Sequence, residues 1–226
     1  MKYKYTSTIL VLLVALFYLQ SAVANEEQGL GGGACGSLDN HHGPFDYTDY
    51  NVYKEHGYLV EYHHFDTDVE SLVKGKTSSV YGDLEYVLRV FPNHHRALTS
   101  ISKYEFQVEN AIEKMGDSIS VECFFNRAIV FKPNDGIVRL IYATYLHRKG
   151  SLGKAKMQYQ KALEINPDSA EAHYNFGLYY VDTNHLSMAV KHGHRAYELG
   201  YPLPGLKNKL IRKGVWDKTV SQNIAN

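Results

Sequence analysis

The 226-residue chain has no surplus charge, its 24 basic side chains being balanced by 24 acidic ones. Binding nucleic acid or an anionic membrane needs a concentrated basic face, and the sequence has no basic run, so no nucleic-acid partner is expected. Catalytic signatures are missing as well. There is no GxSxG elbow, no GxxxxGK(S/T) loop, no HExxH, no CxxC and no CxxCH, so neither an enzyme nor a bound cofactor or metal is expected. The acidic residues of HFDTDVES precede a helical stretch and read as a helix cap rather than a catalytic pair. Cysteine is scarce, with only Cys35 and Cys123, and long apolar runs are confined to one at 9–19.

That run follows Lys2 and Lys4 and leads to Ala22, Val23 and Ala24, the layout of a secretory signal peptide over 1–24. A membrane span needs about 20 apolar residues, so no stable membrane insertion is expected after signal cleavage. The mature chain is then exported, to a periplasm or the extracellular space. An oxidising compartment permits a Cys35–Cys123 disulfide, closing a loop of roughly 90 residues and contributing on the order of 4 kcal/mol. The alternative is two buried thiols acting as small hydrophobes.

What the sequence does have is a period. A shift of 34 residues places Ala155 on Ala189, Ala162 on Ala196, Ala143 on Gly177 and Gly150 on Asn184; one step back, Ala128 falls on Ala162, Pro133 on Pro167 and Gly116 on Gly150. Each unit reads as helix, turn, helix. Small residues stand where helices cross, a residue tolerant of positive φ makes the turn, and proline closes the second helix. Gly177 lies inside a helical pattern at a cost of about 1 kcal/mol relative to alanine, which implies close approach of a neighbour.

These units resemble the tetratricopeptide repeat (TPR) family. The resemblance rests on Tyr142–Ala143 and Phe176–Gly177 in first helices, on Phe125 with Ala128 and Tyr159 with Ala162 in second helices, and on Pro133 and Pro167. It implies an all-α, right-handed helical-hairpin solenoid with a C-terminal capping helix at GLKNKLIRKGVW. Departures are Arg139 and His173 in place of the usual tryptophan, Gly193 in place of an aromatic, and Tyr201 with Pro202 one residue later. Two full repeats cover about 136–201 and a weaker one about 102–135. Upstream, GDLEYVLRVFPNHHRAL resembles another second helix, but Pro92 and Pro133 are 41 residues apart, so a longer helix or loop absorbs the excess. The domain reading is a 1–24 signal peptide, a 25–68 irregular Gly/Tyr/His-rich arm with a short extended piece at YLVEYHHF, and a 69–226 repeat domain. The whole chain loosely resembles exported bacterial TPR proteins of undefined role.

By the same resemblance, first helices line a concave groove, here Leu140, Thr144, His147 and Arg148, then Tyr174, Leu178, Val181 and Asp182. This implies an apolar and aromatic surface for a peptide segment or amphipathic helix of another protein, the alternative being that Tyr174 and Leu178 pack on a neighbouring element. Ile137 and Glu171 stand where carboxylate-binding members carry basic residues, which disfavours an acidic tail. The competing function is a histidine-rich metal handler. Its basis is four close histidine pairs, His41/His42, His63/His64, His94/His95 and His192/His194. Adjacent histidines do not share a helix face, however, and strong sites need three or four converging ligands.

Overall fold

The computed structural model describes residues 35–116 and 119–216. The signal segment at 1–24 lies outside the described residues, as do the first ten residues of the arm. Among the described residues the fold is all-helical, without strands. In chain order it comprises α1 (Tyr50–Val52), a π-helical turn (Tyr53–Gly57), α2 (Tyr58–His64), α3 (Thr67–Glu70), α4 (Val80–Val90), α5 (His95–Gln107), α6 (Ala111–Met115), α7 (Val121–Phe131), α8 (Gly136–Arg148), α9 (Leu152–Ile165), α10 (Ala170–Asp182), α11 (Leu186–Glu198) and α12 (Gly205–Arg212). The elements pack as helical hairpins, α8 on α9 and α10 on α11 most extensively.

Proline sets the rhythm. Helices α5, α8, α10 and α12 each begin three residues after a proline, namely Pro92, Pro133, Pro167 and Pro202. Proline cannot continue the preceding helix, and the residue just before each of the first three starts supplies the N-cap. His94 accepts from the Ala97 N–H, Asp135 from those of Ile137 and Val138, and Ser169 from that of Ala172, satisfying backbone donors the helix leaves open. The first helix of the weaker repeat is therefore α5, starting at His95 rather than near Ser102. The extra seven residues between Pro92 and Pro133 lie between α5 and α7, where α6 sits; the equivalent turns after α8 and α10 are three residues long. Those turns contain Gly150 at φ 81° and Asn184 at φ 59°, the left-handed conformation glycine and asparagine tolerate best.

The small residues of the period are buried at the crossings: Ala128, Ala143, Ala155, Ala162, Ala189 and Ala196 are all at most 2 % exposed. An aromatic stack joins each second helix to the next first helix, Phe125 on Tyr142 at 4.7 Å and Tyr159 on Phe176 at 5.0 Å. One period later the pair is Gly193 and Leu210. A Cβ on Gly193 would lie 3.0 Å from Trp216 and 3.4 Å from both Leu206 and Leu210. The missing aromatic is thus replaced by residues from and after α12. Gly177 serves the same contact: a Cβ there would stand 2.4 Å from Leu206 Cδ2.

The N-terminal region departs from expectation. YLVEYHHF is helical rather than extended, and forms α2. Its inward face at 57, 60, 61 and 64 is Gly, Val, Glu and His, so polar anchors stand where an apolar helical period would have been legible. His94 Nδ1 takes the Ala97 N–H, so its Nε2–H donates to Glu61 at 2.9 Å. Arg96 bridges Glu61 and Glu70, and His64 meets the buried Asp83 at 3.0 Å. Asp66 caps α3 by accepting from the Val69 N–H, as the sequence implies. Cys35 and Cys123 form a pair at disulfide geometry, with Cα atoms 5.1 Å apart. One turn along α7, Arg127 donates to the carbonyl oxygens of Cys35, Gly36 and Ser37. Two residues on one helix face therefore hold the start of the described chain.

Candidate functional site

The eight residues assigned to the groove divide by burial. Thr144, Arg148 and Asp182 are exposed and His147 and Leu178 half-buried, whereas Leu140, Tyr174 and Val181 are buried. A cleft of about 420 Å³ brings together Thr144, His147 and Arg148 of α8 with Leu178 and Asp182 of α10, and adds Tyr159, Asn175 and Lys209. A neighbouring cleft of about 430 Å³ shares Asp182 and Lys209 and is completed by Val181, Arg212 and Lys213. Leu140 belongs to a separate cleft of about 390 Å³ at the start of α8, beside Ile137, His95 and Thr48.

Tyr174 does not join this surface. Its ring stacks on Tyr201 at 4.2 Å, and its hydroxyl would lie 2.6 Å from a Cβ on Gly205, so the chain entering α12 covers it. The continuous apolar and aromatic strip expected from sequence is therefore absent, because α12 docks on the face that Tyr174 would have offered. The open part is a polar cleft with a basic wall.

Its electrostatics follow from three first-helix positions. His147 Nε2 lies 3.3 Å from Asp182, whose other oxygen is 3.6 Å from Lys209 Nζ. Burial holds the His147 pKa below its ordinary value, only partly opposed by Asp182. Burial also pushes the Tyr159 hydroxyl up to about 12, so it stays protonated and donates to Thr144 Oγ1 at 3.5 Å. Arg148 lies over the Phe106 ring at 4.3 Å, which fixes the guanidinium near the cleft mouth.

Lys209, Arg212 and Lys213 are not among the groove positions that the first-helix register gives. One signal for them exists: counting 34 from Thr144 gives Leu178, and 34 more gives Arg212, so the period continues into the capping helix.

The histidine pairs separate as helical geometry requires. His94 turns to Glu61 and His95 to Asp135, while His192 meets His173 with the two Nδ1 atoms 2.9 Å apart and His194 stacks on Trp216 at 4.2 Å. Among the described residues no group of three or more His, Cys, Asp or Glu is placed to hold a metal ion.

A sequence profile described as TPR repeat matches residues 146–183, the end of α8, the turn after it and all of α9 and α10. Residues 146–183 thus carry a tetratricopeptide repeat. No curated protein matches it. The TPR fold is generally a non-catalytic scaffold that binds other proteins, and the helical pairs described above are of that kind. Among the described residues, no helix is long and apolar enough to cross a membrane.

Proposed function

We propose that this chain is an exported TPR scaffold whose protein partner enters the cleft between α8, α10 and α12. The observation that carries the reading is convergence: five of the eight residues picked out by the repeat register line one cleft. Its size suits a few side chains of an extended segment. Export is supported by the layout of Lys2, Lys4, the apolar run and Ala22–Ala24, and by a cysteine pair suited to an oxidising compartment.

Replacing exposed Thr144 with tryptophan plugs the cleft and removes from the core only the long hydrogen bond that Tyr159 donates to it. Affinity capture from envelope extract should lose its partner with Thr144→Trp and keep it with Lys154→Trp, which stands on an exposed face of α9. Equal capture by both variants would move the binding surface elsewhere.

A further inference from the structure

We infer that the segment this cleft receives is acidic, a conclusion that rests on the scaffold reading above. The two clefts that share Asp182 and Lys209 are walled by four cations, Arg148 at the end of α8 and Lys209, Arg212 and Lys213 at the end of α12. Among the described residues Asp182 is the only carboxylate lining either cleft, and both its oxygens are already engaged by His147 and Lys209. Among the described residues, Arg148, Arg212 and Lys213 form no ion pair, although nine other lysine and arginine side chains do.

Helix ends do not account for this excess. The C-termini of α8, α10 and α12 meet here, each carrying about half a negative charge at most. Together with Asp182 they offset about 2.5 of the four positive charges, which leaves the walls positive. The location also differs from the carboxylate-binding positions at the other end of these helices, where Ile137 and Glu171 stand. A peptide is favoured over a nucleic acid or an anionic lipid surface because the cations line clefts with Leu178 and Val181 among the lining residues, and the chain as a whole has no net charge. Such a floor accepts an apolar side chain beside the acidic groups.

The test is selection of random peptides displayed on phage against the immobilised full chain, followed by fluorescence anisotropy of the selected peptides. Two triple variants are compared, Lys209→Gln/Arg212→Gln/Lys213→Gln in the cleft and Lys154→Gln/Lys156→Gln/Lys161→Gln on the outer face of α9, which remove the same charge. Circular dichroism melts confirm that both fold. The expected result is enrichment of net-acidic peptides whose affinity falls roughly tenfold, about 1.4 kcal/mol, in the cleft variant and stays unchanged in the outer-face variant. Peptides without acidic excess that still depend on Thr144 would overturn the inference and leave the scaffold reading standing. Peptides insensitive to Thr144→Trp would overturn both. Equal weakening by the two triple variants, or cleft-dependent binding of a phosphatidylglycerol vesicle or a single-stranded oligonucleotide in place of acidic peptides, would also overturn it.

Discussion

Replacing Gly177 with alanine sets two effects of known size against each other. Helix propensity alone favours alanine by about 1 kcal/mol inside α10. The new Cβ, however, would lie 2.4 Å from Leu206 Cδ2, which is fully buried. Leu206 cannot simply swing aside, because it is fully buried and gathers with the buried Leu210 and with Trp216 over Gly193. Moving α12 outward instead would disturb the turn at Gly205 where it rests on Tyr174. Overpacking a tight core costs about 1–3 kcal/mol, so Gly177→Ala should destabilise by about 1 kcal/mol net, and Gly177→Leu by more. Leu206→Ala alone should cost about 2–5 kcal/mol. Combined with Gly177→Ala, the sum should fall short of additivity by about 1 kcal/mol or more, since the added methyl enters the vacated space. Urea unfolding of the parent and the four variants measures all of these. A Gly177→Ala variant more stable than the parent by about 1 kcal/mol would refute the close approach of α12.

Three further outcomes are expected. Thiol titration of the denatured, unreduced chain should find none; two reactive thiols would contradict a Cys35–Cys123 bridge, and reduction should lower the melting temperature because Arg127 alone then holds the 35–37 turn. Ala162→Leu, at a crossing, should cost about 1–3 kcal/mol while Lys154→Leu on the exposed face changes stability little; equal effects would mean that the faces of α9 are misassigned. His173 Nε2–H donates to the Pro167 carbonyl, and its Nδ1 lies 2.9 Å from His192 Nδ1, so one ring hydrogen-bonds the other. Burial, reinforced by His173, lowers His192 to about 4. Because the unfolded chain binds that proton first, this contribution is complete above the unfolded value of about 6.5 and is lost as pH falls towards 4, by up to about 3 kcal/mol. Urea unfolding at pH 7 and pH 4.5 should show a smaller loss in His192→Gln than in the parent, and identical losses would remove His192 from the account.

The repeat was legible because it is written in residue types that geometry leaves little choice over. Small residues at 128, 143, 155, 162, 189 and 196 mark helix crossings, proline marks each close, and Gly150 and Asn184 mark the turns. The position of α5 was misread because its start is marked by His94, whose ring nitrogen acts as the cap, and because the insertion at α6 breaks the period. Helix α2 was hidden because Glu61 and His64 anchor it through hydrogen bonds, which leave no apolar rhythm. In the cleft, Thr144, His147, Arg148, Leu178 and Asp182 were legible from register. The burial of Tyr174 and the basic wall were not, since both depend on where α12 docks, and that is set by the Leu206 contact with Gly177 across the sequence.

The most direct test of the interaction site is photo-crosslinking in intact cells, with a benzophenone amino acid placed at Thr144 and, separately, at Lys154 and at Tyr58 on the exposed face of α2. The account predicts a discrete protein adduct from position 144, suppressed by the Lys209→Gln/Arg212→Gln/Lys213→Gln substitutions, and none from 154 or 58. Adducts from 58 or 154 with none from 144 would contradict it.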